Sequence, residues 1–296
     1  AADIAELGGS TSDLAVTSDC SLASVILESV SSLVSSISIF FSPFKSSGGT
    51  SGLTLVLGAI FFAFQIYCDF SGYSDIAIGV AKLFGFQLMT NFRFPYFSRN
   101  IGDFWRRWHI SLSTWFRDYL YIPLGGSRGT KILSLRNVLV IFLVSGFWHG
   151  ANWTFIIWGG IHALLFIPSL LRGTNRKFKG TDELDSIIPS FKEIGEIALT
   201  FCTVCIAWVF FRADSVQIAV DYLAHMFTSN PLGHNRYKKQ ILWIVPLVSI
   251  EWFIMRKSAP TPVFKNKIVQ DLFYFILSIL ILKYFSREAE FIYFDF

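Results

Sequence analysis

The sequence predicts an all-α protein that crosses a membrane several times, and three observations lead to that prediction. Of its 296 residues, 53% are hydrophobic and only 16% are charged. The mean hydropathy is +0.51, and these values together fall outside the usual range of soluble globular proteins. Apolar runs of helical-span length recur along the chain, which gives about five to seven spans together with amphipathic or re-entrant helices.

Charge and cysteine usage exclude several other classes of protein. The net charge is +4, but the basic residues cluster in short segments between apolar runs. Basic residues in such positions are typical of segments that set membrane topology and contact lipid headgroups. Membrane lipid is therefore an expected partner, and nucleic acid is not. Cys202 and Cys205 lie in the apolar run FCTVCIAWVFF without a second ligand pair, which favours packing residues within a span. We therefore predict no metal site.

The first region, residues 1–51, is a polar start followed by a serine-rich apolar segment and a short Gly and Ser linker. The serine-rich segment, 22–44, is either a weak span or an interfacial helix. The start AADIAELGG has neither an initiator Met nor the basic leader of a signal peptide. We expect that the chain begins partway through a longer protein or was processed.

The next element is a long apolar helix that begins at Gly52 and extends to about Lys82. It carries two acidic residues, Asp69 and Asp75, which lie well apart around the helix. A charge in the membrane costs about a few kcal/mol, so such residues are functional candidates by default. One aspartate could pair with an arginine while the other faces a cavity, or both could be ion-paired supports for neighbouring helices.

From Ile101 to Tyr119 the apolar residues follow a period of 3.6, which predicts one continuous amphipathic helix. Such a helix would place Arg106, His109 and Arg117 on one flank. Arginines on that flank could bind an anionic substrate or cofactor. Alternatively, the helix could lie in the headgroup layer with its tryptophans as anchors, and the pattern alone slightly favours this second interpretation.

Two apolar segments, 137–148 and 153–171, flank the sequence HGAN. They are either two spans that meet there or one helix broken at membrane depth, where irregular backbone needs protein or water around it. If the helix continued, His149 and Asn152 would share a face, and the amide could orient the imidazole ring. His162 would point elsewhere, so its case as a site residue is weaker.

The last region, residues 172–296, is predicted to contain membrane helices and loops. A basic loop comes first, and the spans and one short surface helix after it are predicted at 197–211, 214–227, 241–255 and 271–285.

Three polar runs interrupt the apolar pattern and carry a resemblance to a known family. They are YCDFSGYSDIAIG (67–79), NFRFPYFSRNIGDFWRRWHISLSTWFRDYLYIPLGG (91–126) and GFWHGANWTFIIWG (146–159). In this order they resemble the motifs of the membrane-bound O-acyltransferases, most closely the alginate O-acetyltransferase branch. Residues 52–171 would then form the catalytic core. Family members carry further spans before the first motif, which implies that this chain lacks an N-terminal part.

The resemblance implies roles for individual residues. His149 takes the position of the family's catalytic histidine, and His109 that of the second motif histidine in the conduit where acyl donor and acceptor meet. His149 would act as general base, since a neutral imidazole with a pKa of about 6.5 can accept a hydroxyl proton. Asn152 could orient His149, and His109 or Arg106 could stabilise charge on the carbonyl oxygen. Asp69, Asp75 and Arg117 would line the conduit.

The expected reaction moves an acyl group, acetyl by resemblance, from a cytoplasmic thioester to hydroxyls of an extracytoplasmic polysaccharide at a bacterial inner membrane. The donor would be an acyl-CoA-type substrate such as acetyl-CoA, and no bound cofactor is expected. An acyl-histidine intermediate, or handover to an extracytoplasmic partner protein with acyltransferase activity, fits the sequence equally well. The competing enzyme is a D-alanyl transferase for teichoic acid. A non-catalytic transporter or scaffold, with histidines that relay protons or pack helices, is the alternative from another class.

Overall fold

The computed structural model describes residues 51–174, 188–230, 241–257 and 266–269, together with positions 271, 272, 275 and 279. Within these residues the protein is helical and contains no strand. The predictions for residues 1–50 and most of the predicted 271–285 span lie outside the described residues. The helices are α1 (Gly52–Leu83), α2 (Ile101–Arg107), α3 (Ile110–Phe116), α4 (Lys131–His149), α5 (Trp153–Leu171), α6 (Phe191–Arg212), α7 (Val216–Thr228) and α8 (Ile241–Lys257).

Four of these helices, α1, α4, α5 and α6, are long and apolar enough to cross a membrane. The predicted all-α membrane fold is therefore confirmed, and α5 has the bounds that the sequence predicted. The predicted surface helix at 214–227 is also confirmed, as α7. A total of five to seven spans stays a prediction, because it depends in part on residues outside the described ranges.

The sequence HGAN separates two helices and does not break a single one. Helices α4 and α5 form an antiparallel hairpin in which two glycines allow the backbones to touch. A Cβ atom at Gly146 would collide with the carbonyl oxygen of Phe155, and one at Gly159 would collide with the carbonyl oxygen of Phe142. These two contacts fix how α4 and α5 are aligned along their axes, and therefore the position of His149 at the end of α4.

The helices place two groups of residues at opposite ends of the bundle. At one end, the Asn152 amide donates to the Asp214 carbonyl (3.1 Å), and the Gly52 backbone N–H donates to the Asn230 carbonyl (3.2 Å). We call this the histidine end, because α4 finishes there at His149. The starts of α4 and α6 lie at the other end, which we call the basic end. It carries Arg99, Lys131, Arg172, Lys192 and Arg256.

The prediction of one continuous amphipathic helix is wrong. The structure divides this stretch into α2, α3 and a π-helical turn at Arg117–Tyr121. Trp108 is extended (φ −103°, ψ 127°) and His109 is left-handed (φ 43°, ψ 57°), so the helical register is lost between α2 and α3. The headgroup-layer interpretation is also wrong for α2. Phe104 and Trp108 are 1% and 4% exposed, and the Trp108 ring packs 5.1 Å from that of Trp208 in α6.

Candidate active site

His149 is the last residue of α4 and is half-buried inside a cage of aromatic rings. Its imidazole meets the rings of Trp148, Trp158 and Phe211 edge to face, at centroid distances of 4.9, 5.1 and 5.1 Å. No hydrogen bond to this ring comes from the side chains that the structure describes. Packing alone therefore holds the ring, and both of its nitrogens stay available to a substrate.

His109 lies at the break between α2 and α3 and is held quite differently. Its left-handed backbone conformation is uncommon for a residue with a side chain, and such positions cluster at functional sites. The ring packs edge to face on Phe70 at 4.6 Å. Its Nδ1 lies 3.4 Å from the Ser111 hydroxyl oxygen. Burial lowers the pKa of His109 from 6.5 to about 4, so this imidazole is neutral at physiological pH.

Asn91 is the hub that fixes this break. Its carbonyl oxygen accepts from the backbone N–H of Ile110 (2.9 Å), and its side-chain oxygen accepts from both the N–H (3.2 Å) and the hydroxyl (2.5 Å) of Ser111. Its amide nitrogen donates to the Ser74 hydroxyl of α1 (3.3 Å). Asn91 and Ser111 were not predicted as site residues, because partners about 20 residues apart leave no periodic signal.

The same hydrogen bonds assign the tautomer of His109. Ser111 has one hydroxyl proton, and that proton goes to Asn91, so the Ser111 oxygen accepts from His109. The Nδ1 atom of His109 must then carry the ring proton, which leaves Nε2 as an acceptor. A neutral ring in this tautomer presents Nε2 as an acceptor, so stabilisation of a developing oxyanion by His109 would need the other tautomer or a protonated ring, and that role stays a prediction.

The two histidines are brought together although 40 positions of sequence separate them. A charge on His109 would act on His149, which places both rings in one electrostatic neighbourhood. One ring is held by aromatic packing and the other by a polar network. The arrangement therefore places the two imidazoles in one part of the bundle.

Asn152 does not orient His149, contrary to the prediction. It caps α5 with its side-chain oxygen, which accepts from the N–H of Thr154 (3.1 Å), while its amide donates to the carbonyl of Asp214. The helix does not continue through Gly150, so the assumption that His149 and Asn152 share one helical face fails. Asn152 instead ties the hairpin turn to the start of α7.

The arginine flank is likewise not assembled. Arg106 lies 3.9 Å from the Asp103 carboxylate, which also accepts from Arg107 (3.0 Å). Asp103 is fully buried, so this cluster anchors α2. Arg117 lies beyond the break, where it is exposed and pairs with its neighbour Asp118 at 2.7 Å. Beside Arg117, the pKa of Asp118 is lowered.

Asp69 and Asp75 both lie on α1, and neither pairs with an arginine among the described residues, so the ion-pair interpretation is wrong for that part of the chain. The Oδ2 atom of Asp69 is buried and has no hydrogen-bond partner in the part of the chain that the structure describes. Asp75 interacts electrostatically with Glu251 of α8, whose carboxylate accepts from the Tyr67 hydroxyl at 2.5 Å. No described contact brings either aspartate to His109 or His149, so their place in the conduit stays a prediction.

His162 is buried in the core and lies outside the site. The indole N–H of Trp105 donates to its Nδ1 at 3.3 Å, and the ring is fully buried against Trp158 and Phe104. Its main role is packing between α2 and α5. Within the described ranges, no group of three His, Cys, Asp or Glu side chains is placed to hold a metal ion.

Comparison with known proteins identifies the family. A family model described as membrane-bound O-acyltransferase matches residues 35–189, which include both histidines and the α4–α5 hairpin. The chain belongs to the membrane-bound O-acyltransferase family. His109 and His149 thus lie in the matched region of an O-acyltransferase fold, as the resemblance of the motifs implied.

Relatives within this family share different portions of the chain. It is 46% identical over 172 residues to a protein named probable alginate O-acetylase from Pseudomonas syringae pv. tomato, covering 58% of this chain and 31% of the relative. It is 35% identical over 250 residues to a peptidoglycan O-acetyltransferase from Helicobacter pylori, covering 84% and 46%. A teichoic acid D-alanyltransferase from Streptococcus thermophilus is 37% identical over 127 residues, covering 40% and 30%.

The chain spans about a third to a half of the length of these relatives. The match to the peptidoglycan O-acetyltransferase covers 84% of this chain, whereas the matches to these alginate O-acetylases are shorter and of higher identity.

Proposed function

We propose that this protein is an O-acetyltransferase of the bacterial inner membrane, which transfers acetyl groups from a thioester donor to hydroxyls of an extracytoplasmic polysaccharide. One observation supports this above all others: His149, whose ring nitrogens accept and donate no hydrogen bond among the described residues, lies in the same electrostatic neighbourhood as the neutral His109. The family and the names of the relatives favour acyl transfer to a polymer hydroxyl. The acceptor could be alginate, peptidoglycan or another glycan.

In the proposed reaction, His149 removes the proton of the acceptor hydroxyl as its oxygen attacks the thioester carbonyl carbon. The C–S bond then breaks, and His149 returns the proton to the leaving thiolate, so that atoms and charge balance. General base assistance of this kind is worth about 10² to 10⁴ in rate. The end of the aromatic cage, at the histidine end of α4, is where the acceptor would enter.

His109 receives a different role from the one first predicted. Its Nε2 atom is the acceptor nitrogen of the ring, so it would accept a hydrogen bond from a second hydroxyl of the acceptor sugar, which orients the attacking hydroxyl toward His149. The half-buried contacts of Asn91 and Ser111 would hold the ring in place for that role. A thioester of the acetyl-CoA type is the proposed donor, and an extracytoplasmic partner could complete the transfer.

The test uses cells that lack the native gene and carry the full-length gene with either His149 or His149→Ala, in the numbering used here. The readout is ester-linked acetate on surface polysaccharide, at equal amounts of membrane-inserted protein. We expect the His149→Ala cells to carry at least about 100-fold less polymer acetate. His225→Ala is the matched control, because His225 is exposed on α7 far along the chain from both motifs.

Equal acetate with His149 and His149→Ala would overturn the proposal and make His149 a packing residue of a transporter or scaffold. Ester-linked D-alanine in place of acetate, dependent on His149, would instead assign the teichoic acid reaction, which the third relative's name supports. Loss of acetate in the His225→Ala control, at the same amount of membrane-inserted protein, would show that the loss is not specific to the His149 position.

A further inference from the structure

Glu251 is an acidic residue within the apolar helix α8, in the sequence IVPLVSIEWFIM (244–255). Only 4% of the residue is exposed. A carboxyl group buried in a predicted membrane span is costly, so such a residue is a functional candidate by default. Its partner is Tyr67 of α1, whose hydroxyl donates to the Glu251 Oε1 atom at 2.5 Å. Neither residue belongs to the proposed catalytic machinery.

Helix α8 packs loosely against α6 near Glu251. Among the described residues, a cavity of about 430 Å³ lies between these two helices, lined on α6 by Ile197 and Phe201 and on α8 by Val248 and Glu251 itself. Atoms that face a cavity lose the packing contacts of that side. The hydrogen bond from Tyr67 therefore carries a larger share of the attachment of this turn of α8 to α1.

The Tyr67 ring packs against the segments that meet at His109. Tyr67 is 2% exposed, and its ring lies 5.8 Å from that of Phe92 and 6.2 Å from that of Trp108. The rings of Phe92 and Trp108 meet edge to face at 5.0 Å. Trp108 directly precedes His109, and Phe92 directly follows Asn91. One ring thus supports both chain segments at the break between α2 and α3.

Two backbone hydrogen bonds join these segments on either side of the supported rings. The Arg93 N–H donates to the Arg107 carbonyl (3.0 Å), and the Ile110 N–H donates to the Asn91 carbonyl (2.9 Å). The supported rings belong to the residues between these bonds in each segment. A shift of either ring therefore moves the backbone at the break.

A second connection to His109 runs through side chains alone. The Phe92 ring meets the Phe70 ring edge to face at 5.0 Å, and the Phe70 ring meets the imidazole of His109 at 4.6 Å. Together with Tyr67 they form a continuous row of rings that ends at the imidazole. Protein interiors are close-packed and transmit strain, so a displacement of Tyr67 reaches His109.

We propose that Glu251 and Tyr67 are positioning residues for His109, and that their hydrogen bond fixes the rings on which the break between α2 and α3 rests. The inference rests on the proposed function, in which His109 orients the acceptor sugar. Without the Glu251 oxygen, the Tyr67 hydroxyl would be a buried donor that has lost its acceptor, and the ring would shift. Misplacement of a positioned group by about 1 Å can cost about 100-fold in rate.

The test measures acetyl transfer from acetyl-CoA to polysaccharide in isolated membranes that contain the full-length protein. A second readout is the rate at which diethyl pyrocarbonate modifies His109. For Tyr67→Phe and Glu251→Leu we expect about tenfold lower kcat per folded protein and faster modification of His109. The donor KM should stay the same, because the proposed contact of His109 is with the acceptor. Glu251→Gln keeps an acceptor oxygen and should stay within about twofold of wild type.

Tyr222→Phe is the matched control, because the buried Tyr222 hydroxyl also donates to α1, at the Leu55 carbonyl (2.7 Å). Leu55 precedes Tyr67 by 12 residues, which is about 18 Å along a helix. The control should lose a similar amount of apparent Tm in detergent and keep the wild-type kcat and the wild-type rate of His109 modification.

Equal losses of kcat in Tyr222→Phe and Tyr67→Phe would overturn the inference, since the effect would then be one of stability. An equal loss in Glu251→Gln and Glu251→Leu would also overturn it, because the acceptor oxygen would not matter. Modification of His109 needs no acyl transfer. A faster rate in Tyr67→Phe would therefore support the positioning role even if His149→Ala kept its activity and the proposed function failed, and an unchanged rate would overturn the role.

Discussion

His149 and His109 stand in the same electrostatic neighbourhood, yet the protein holds them by opposite means. Aromatic packing and the glycine contacts of the α4–α5 hairpin hold His149, with no side-chain hydrogen bond from the described residues. A polar network through Asn91 and Ser111 holds His109 in a left-handed conformation. The ring of His149 is positioned by packing, and its nitrogens stay available to a substrate. The ring of His109 is held in one tautomer by its hydrogen bond to Ser111.

This difference teaches which residues each histidine depends on. The position of His149 along the bundle axis depends on close contacts between glycines and backbone carbonyl groups, which have little freedom to move in a packed interior. The direction of His109 depends on hydrogen bonds, whose loss costs less but acts directly on the ring. The predictions below separate the two mechanisms.

The largest effect is expected from the hairpin. In Gly159→Ala or Gly146→Ala, the new methyl group would collide with a backbone carbonyl oxygen, and α4 and α5 would have to separate. Overpacking of this kind costs about 1–3 kcal/mol or more. We expect a clear loss of folded full-length protein and of its apparent Tm, measured by size-exclusion chromatography and thermal unfolding in detergent.

Gly195→Ala in α6 is the control for these variants. A Cβ atom there meets no atom within 4 Å, so the change should be neutral or stabilise by about 0.4–1 kcal/mol. If Gly159→Ala behaved like Gly195→Ala, the hairpin contact would not set the position of His149.

The sequence predicted the spans well and the site only in part. The bounds of α5 could be read directly, because an apolar run of 19 residues follows a polar turn. The break at Trp108 and His109 could not, because the apolar period runs through it without interruption. Because the helix is broken there, Arg106 and Arg117 belong to different helical segments and do not share one helix face. The roles of the two histidines came from the resemblance, since periodicity assigns no chemistry.

The next effect is expected at Asn91. Asn91→Ala would leave the N–H and hydroxyl of Ser111 without their acceptor, which costs about 1–3 kcal/mol and loosens the ring of His109. We expect about tenfold lower polymer acetylation per folded protein. Asn91→Asp keeps an acceptor oxygen for both donors and should recover part of this loss.

Recovery by Asn91→Asp is the decisive comparison, because a general packing defect would not be relieved by one oxygen. Gln217→Ala serves as the amide control, since Gln217 is exposed and bonds only its helix neighbour Asp221 in the described contacts. Equal loss in Asn91→Ala and Asn91→Asp would show that the network does not position His109.

A smaller effect is expected when pH changes. The pKa of His109 is about 4 in the folded protein and about 6.5 when unfolded. Below pH 6.5 the unfolded chain gains a proton that the folded protein does not bind, so stability is complete above pH 6.5 and falls toward pH 4. His109→Asn should flatten this part of the curve of apparent Tm against pH.

The smallest effect is expected from Arg117, and it tests whether the broken helix matters for function. On a continuous helix Arg117 would join His109, and its loss would weaken use of an anionic donor. In the structure it is 58% exposed and pairs with Asp118, and exposed pairs of this kind contribute little. Arg117→Ala should therefore leave the donor KM within about twofold of wild type. Arg106→Ala should perturb activity more, because Arg106 lies against the fully buried Asp103 that anchors α2. A large rise in donor KM for Arg117→Ala would instead return Arg117 to the donor site, and the break between α2 and α3 would have to close when the donor binds.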